Sequence, residues 1–245
     1  MIWEGSRLAA RKLSRLAAGW LSRTSGLRPP GHYGEVREFL RATKALGFCP
    51  ELIFDIGANR GNWTGVARRV FPSAKFVLFE PNGDLKRSCQ RHLDAGAEWV
   101  EMGVSNHTGI EIFSVDKQDD TGSRVGEVDG AQIIQVQMTT IDAWIDDNDK
   151  IPDMIKIDAE GCDIKVIEGA AKAIGNTDVF FIEAAVAGGG DISSRNVLCL
   201  MEDYGYRFAG ITERIFSPKN GLLWLAELAF VRRGSLIDRN ANTWR

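Results

Sequence analysis

The stretch Leu52-Ile53-Phe54-Asp55-Ile56-Gly57-Ala58-Asn59-Arg60-Gly61-Asn62-Trp63-Thr64 decides the fold of this chain. The run Leu52–Ile56, apolar except at Asp55, is too short for a helix and rich enough in Ile and Phe to read as a buried parallel strand. Gly57 and Gly61 then let the backbone turn through positive φ and let a ligand approach the main chain without a Cβ in the way. Thr64, Val66, Ala67 and Val70 carry the chain into a helix whose unpaired N–H groups face the same opening. Strand, glycine turn and helix N-terminus together predict a nucleotide-type site.

Spacing and charge narrow the ligand. A dinucleotide fold would show G-x-G-x-x-G and a P-loop G-x-x-x-x-G-K-[ST]; neither is present. The pattern here is D-x-G-x-x-x-G. An acid beside the glycines is poorly placed for phosphate and well placed for a cation or an amino group, which favours S-adenosylmethionine. A solvent-facing aspartate at a strand end is the competing reading of Asp55.

With 245 residues the chain is long enough for one well-buried α/β domain with extensions. Residues 1–28 hold six basic side chains and one acid, a charge of +5, so the remainder carries −8 behind the net −3. A mildly acidic body argues against a nucleic-acid groove. Cys49, Cys89, Cys162 and Cys199 lie far apart with no C-x-x-C pair, which argues against zinc and suits a reducing cytoplasm. No apolar run reaches the roughly 18 residues that span a bilayer.

Residues 2–23 read as a basic amphipathic helix, with Arg7, Arg11 and Arg15 on one face and Ala9, Leu13, Leu16 and Trp20 on the other. Such a helix can lie on a membrane surface, cover a cleft, pair subunits in a homo-oligomer, act as a targeting peptide, or pack on its own domain. A second helix is expected over residues 32–46, so residues 1–48 form an N-terminal helical extension to a domain at 49–235.

Residues 75–79 form the second predicted strand, ending at Glu80, 25 residues beyond Asp55. That offset resembles the one at which an acid reaches ribose hydroxyls in nucleotide-binding βαβ units. A helix is expected over residues 84–95, and residues 99–106 read as the third strand and its exit loop. In a sheet ordered 3-2-1-4-5 that loop would flank an adenine. Residues 110–115 and 133–138 then read as a strand pair around the polar loop 116–130, an insertion over the sheet in which Asp119, Asp120, Thr121, Ser123 and Arg124 could meet substrate. Thr139 and Thr140 open a short helix.

The fourth strand, within 152–161, alternates so that Met154, Lys156 and Asp158 share one face. Asp158 emerges at its carboxyl end. If strands one and four are neighbours, a crevice opens over their ends with Asp55 and Asp158 on its lips. Lys156, inside a buried strand, needs a partner among Asp158, Glu160 and Glu183. The next helix is expected to bury Ile164, Ile167, Ala171 and Ile174 and to end at Gly175. Residues 179–183 form a fifth strand closing on Glu183. The glycine run 188–190 with Asp191 loops over the same edge, Ser193 or Ser194 caps a helix, residues 206–211 and 222–231 supply a final antiparallel hairpin, and the chain after Arg232, at 236–245, reads as a loose tail.

With these pieces in order the chain resembles the FkbM family of S-adenosylmethionine-dependent methyltransferases. The matching segments are D-I-G-A-N-x-G at 55–61, F-E-P-N at 79–82, G-V-S-N at 103–106, T-T-I-D at 139–142, I-K-I-D-A-E-G at 155–161 and F-I-E at 181–183. Ala159 stands where the family often has valine. The resemblance implies an α/β class I methyltransferase Rossmann-like fold, a seven-stranded, mostly parallel sheet with helices on both faces. It also implies O-methylation of a small-molecule acceptor: a sugar, glycolipid or polyketide-type natural product. The cofactor residues implied are Asp55, Gly57, Ala58, Asn59, Gly61, Thr64, Glu80, Pro81, Asn82, Gly103, Val104, Ser105 and Asp158.

An alcohol is a very weak acid, so a base must act as the C–O bond forms; Asp158 and Glu160 are the first candidates and Glu183 the second. The same three carboxylates could instead hold Mg²⁺, since hard oxygen ligands suit it. Glu160 and Asp163 could also simply favour the start of the following helix. A nicotinamide-dependent oxidoreductase would share the layout, but G-x-G-x-x-G and a Tyr-x-x-x-Lys pair are missing. A non-catalytic binding module is expected to have lost some of these acids, and all are present.

Overall fold

A computed structural model of the chain describes residues 34–115, 123–187 and 192–241. The expected basic helix at 2–23, the centre of the 116–130 loop and the glycine run with Asp191 lie outside the described residues. Helix Gly34–Ala45 leads into β1 (Leu52–Ile56), helix Asn62–Val70 and β2 (Lys75–Phe79). A 3₁₀ helix, Gly83–Cys89, runs into the short helix Gln90–Leu93 and β3 (Glu98–Val100). Next come β4 (Gly103–Val104), β5 (Gly109–Val115), β6 (Arg124–Val125) and β7 (Gln132–Thr139). Helix Ile141–Asn148, β8 (Met154–Ile157), helix Asp163–Glu168, β9 (Val179–Ala185) and helix Ser194–Asp203 follow. β10 (Tyr206–Phe216), β11 (Leu223–Arg232) and helix Leu236–Ala241 end the described chain.

Seven strands form one sheet in the order β3-β2-β1-β8-β9-β11-β10. All its pairs are parallel except those of β11, which runs antiparallel to β9 and β10. β1 and β8 are neighbours, as the crevice argument requires, and β1 is where the winding direction reverses. The central strands are apolar because both faces are covered. Phe54, Ile56, Ile155, Ile157, Phe180 and Ile182 pack under Ile141, Trp144, Val166, Ile167 and Met201 on one side. Ile53, Met154, Val179 and Phe181 meet Val36, Leu40, Trp63 and Ala67 on the other. Each such side chain, fully withdrawn from water, contributes roughly 1.5–3 kcal/mol. On this second face the apolar rows stop at the carboxyl ends of the strands, where Asp55 lies beside Lys156 and Glu183 beside Glu227 in the register.

The inserted strands form a separate sheet, β4-β7-β5-β6. β5 and β7 are antiparallel from Gly109 opposite Met138 to Val115 opposite Gln132, so the expected strand pair is present, and its inner side carries Phe113, Val136 and Met138. Thr140 caps helix Ile141–Asn148 by accepting from the Ala143 N–H at 2.9 Å, and Ser193 caps helix Ser194–Asp203. Among the described residues no helix is long and apolar enough to cross a membrane.

Four local expectations are corrected. Residues 84–95 are mainly a 3₁₀ turn, because the tighter winding lets Cys89 donate to the Asn59 carbonyl at 3.3 Å and brings His92 Nε2 within 2.8 Å of the Gly61 carbonyl. The third strand is split, since β3 belongs to the main sheet while β4 pairs with β7. The helix after β8 ends at Glu168, not Gly175. A Cβ on Gly169 would lie 2.3 Å from the Ser105 carbonyl oxygen, so the chain passes β4 too closely for a side chain, and Ala170 and Ala173 are buried in place of Ala171. The chain after Arg232 is no loose tail up to Ala241: Ser235 Oγ accepts from the Asp238 N–H at 3.2 Å, Asp238 pairs with Arg207 at 2.8 Å, and Ile237 is buried. The Ser235-x-x-Asp238 spacing was the available signal.

Candidate active site

The turn after β1 is shaped by contacts on both sides. The N–H groups of Gly57 and Ala58 both donate to the Phe79 carbonyl at 3.0 Å, tying the turn to the end of β2. Gly57 has φ +70°, and a Cβ there would lie 1.9 Å from the Asp158 carbonyl oxygen, so only glycine fits between β1 and β8. Glu80 bridges the same region: one carboxylate oxygen accepts from the Asn59 N–H and the other from the Asn82 N–H, each at 2.9 Å. Burial raises its pKa against the pull of these two bonds. A carboxylate accepts about four hydrogen bonds. Two are used in this way, and the side chain still lines the cavity, so the remaining lone pairs suit a pair of ribose hydroxyls.

Asp55 is placed differently from expectation. Its side chain is fully buried beneath the cavity rather than on its lip, where Thr64 donates to Oδ2 from its hydroxyl at 2.5 Å and from its N–H at 3.2 Å. Oδ1 has no hydrogen-bond partner and faces the Lys156 ammonium at 3.7 Å. Lys156 also donates to Asp158 Oδ2 at 2.9 Å and to the Gly57 carbonyl at 3.2 Å. Burial alone would push the ammonium pKa down; Asp158 and Asp55 outweigh it and the net direction is up. For Asp55 burial is the larger effect, and its pKa is raised despite Lys156 and Thr64.

More carboxylates follow along the sheet. Glu183 is pushed up to about 9, first by burial and then by the negative charges of Asp158, Asp163 and Glu160. Glu227, which accepts from the Thr212 hydroxyl at 2.5 Å, is pushed up to about 8 by burial. Both shifts favour the protonated carboxyl near neutral pH, a form that can donate a hydrogen bond. Asp163 is buried and accepts from the N–H groups of Ala159 and Gly161 at 3.0 and 3.2 Å, shaping the loop on which Glu160 sits at φ +48°. Burial lifts Asp163 to about 6.

One cavity of about 760 Å³ joins these parts. Gly57, Ala58, Asn59, Glu80, Pro81, Asn82, Gly103 and Val104 line it, and so do Asp158, Glu160 and Glu183. Asp55, Gly61, Thr64 and Ser105 do not, and act from behind the wall: Gly61 against His92, Thr64 on Asp55, Ser105 through its N–H to the Thr139 carbonyl at 2.9 Å. The sequence placed Ser123 of the insertion near substrate but did not mark Lys156 as a wall residue or the rest of the far side. There the inserted sheet supplies Phe113, Ser123, Val125 and Met138, and the β10–β11 hairpin supplies Glu213, Ile215, Trp224 and Leu225. Lys156 was legible as a buried cation; the hairpin residues carry no motif. Among the described residues no group of three or more His, Cys, Asp or Glu side chains could hold a metal ion.

A doubly wound sheet with a glycine turn, a bridging acid after β2 and carboxylates over β8 defines a nucleotide-dependent transferase site of the S-adenosylmethionine type. The Methyltransferase FkbM domain matches residues 55–208, over half of the chain. The protein belongs to this family of S-adenosylmethionine-dependent methyltransferases. No curated protein sequence matches it. Among solved structures, precorrin-6y C5,15-methyltransferase from Geobacter metallireducens GS-15 is similar at TM-score 0.48 and 13% identity, over 81% of this chain and 88% of that one. The 1,6-didemethyltoxoflavin-N1-methyltransferase of Burkholderia thailandensis gives 0.45 and 13%, over 95% and 92%. Magnesium protoporphyrin IX methyltransferase from Synechocystis PCC 6803 gives 0.45 and 11%, over 80% and 76%.

Proposed function

We propose that this FkbM methyltransferase acts on oxygen, methylating a hydroxyl of a small-molecule acceptor such as a sugar, glycolipid or polyketide-type natural product. The observation that carries this reading is that the glycine turn and Glu80 share one cavity with Asp158 and Glu160. When bound, S-adenosylmethionine supplies an electrophilic methyl group on a sulfonium that is already a good leaving group. The protein's tasks are to hold the two reactants in line, exclude water and accept a proton.

The backbone of Gly57, Ala58 and Asn59 and the carboxylate of Glu80 hold the cofactor. Asp158, fixed by Lys156, accepts the hydroxyl proton as the C–O bond forms, with Glu160 the second candidate. Glu183, carrying its own proton, donates a hydrogen bond to a second acceptor oxygen. The apolar walls from Phe113, Met138 and Trp224 keep water from the transfer path.

Calorimetric titration with S-adenosylhomocysteine, with NAD as control, tests the cofactor assignment: saturable one-site binding of the first alone is expected. Hydroxylated sugars and lipids are then screened as acceptors with labelled cofactor. A product methylated on nitrogen or carbon would refute the O-directed reading, and absence of homocysteine-ligand binding in a folded sample would refute the cofactor site.

A further inference from the structure

We propose that Lys156 is the positioning residue of the site, its single ammonium group locking the cofactor-side turn after β1 to the carboxylate of Asp158. The inference rests on the proposed function and deepens it. Lysine has three N–H donors. Lys156 uses two of them in hydrogen bonds, to Asp158 Oδ2 at 2.9 Å and to the Gly57 carbonyl at 3.2 Å, and its charge faces Asp55 Oδ1 across an ion pair at 3.7 Å. Each of these groups belongs to a different working part. Gly57 is in the turn that lines the cofactor side of the cavity, Asp158 is the proton acceptor, and Asp55 anchors the start of helix Asn62–Val70 through Thr64.

Burial makes the arrangement consequential. The Lys156 side chain is 6% exposed and that of Asp55 0%, so neither charge can turn to water if the other moves. β1 and β8 touch at this level, with no room for even a methyl group between Gly57 and the Asp158 carbonyl, so a shift on one strand is passed directly to the other. Other carboxylates face the same ammonium from neighbouring elements: Glu80 after β2, Glu183 on β9 and Glu227 on β11. Among the described residues Lys156 is the cation that acts on all of them. The two groups that accept its hydrogen bonds belong to the cofactor turn and to the proposed base. Ligand bound against Gly57 is therefore felt at Asp158 through a hydrogen-bonded contact at each end.

The test uses the full chain with S-adenosylhomocysteine as the probe. Lys156→Met keeps an unbranched stem and removes the donors, and about a tenfold or greater loss of affinity by calorimetry is expected. Lys156→Gln keeps a neutral amide with two N–H donors within the same strand and is expected to recover part of that loss. In ¹⁵N-lysine-labelled wild-type protein the Lys156 ammonium resonance should move on ligand addition, and Asp158→Asn should move it in the free protein, since both ends register on one nucleus. Lys156→Met with wild-type affinity, or a Lys156 resonance indifferent to ligand or to Asp158→Asn, would overturn the inference while wild-type binding leaves the proposed function standing. The resonance measurements need no Lys156 variant to fold.

Discussion

Replacing Glu227 by glutamine probes the charge state at the far end of the site. The wild-type carboxyl is 6% exposed and its pKa is pushed from an ordinary 4.5 up to about 8, chiefly by burial. Below pH 4.5 folded and unfolded chains are both protonated there. Between 4.5 and 8 the unfolded chain ionises while the folded one keeps its proton, so the stabilisation present at low pH is lost as pH rises, at about 1.4 kcal/mol per unit. The whole interval corresponds to roughly 5 kcal/mol. Local relaxation and water penetration relieve part of the cost of a buried charge, so the part removed by a single change is on the order of 2–3 kcal/mol. Glutamine mimics the protonated acid: its carbonyl still accepts from the Thr212 hydroxyl. Urea unfolding at pH 5, 6, 7 and 8 should therefore give Glu227→Gln about equal to wild type at pH 5 and more stable by that amount at pH 8. Parallel stability curves, or a variant less stable at pH 8, would refute the assignment of a buried, protonated Glu227.

Four further substitutions bear on the site. Gly57→Ala places a methyl where only 1.9 Å separates it from the Asp158 carbonyl, so S-adenosylhomocysteine binding should vanish and the melting temperature fall; an alanine variant with wild-type affinity would remove the turn from the site. Glu80→Gln puts an amide NH₂ where one of two backbone N–H groups needs an acceptor, and calorimetry should show affinity down by roughly 10–100-fold, with an unchanged value arguing against the ribose role. Asp158→Asn should keep the fold and bind S-adenosylhomocysteine within a few-fold while losing turnover, and full activity would move the base elsewhere. Glu183→Gln, by contrast, should keep turnover at pH 7 close to wild type, because the native side chain is already protonated there; a collapse of activity would mean that it works as a carboxylate.

The alternation of 52–56, 75–79, 154–157 and 179–183 with helical segments, each strand closing on or near an acid, pointed to a doubly wound sheet, and to a crevice over its strand ends once strands one and four are neighbours. The reason is local: strands covered on both faces must be apolar throughout, and a turn pressed against the neighbouring strand must be glycine. The residues around Gly57, Glu80 and Asp158 were legible for that cause. Tertiary structure alone decided the rest. Burial under helix Asn62–Val70 turned Asp55 from a lip residue into an anchor, because Thr64 and Lys156 satisfy it from inside. Long-range pairing brought Glu227 of β11 beside Glu183 of β9, where burial raises both, and it set Trp224 and Glu213 against a cavity more than 150 residues away in sequence from Gly57. Neighbours of that kind are chosen by sheet order and register, which no local pattern of apolar and charged residues records.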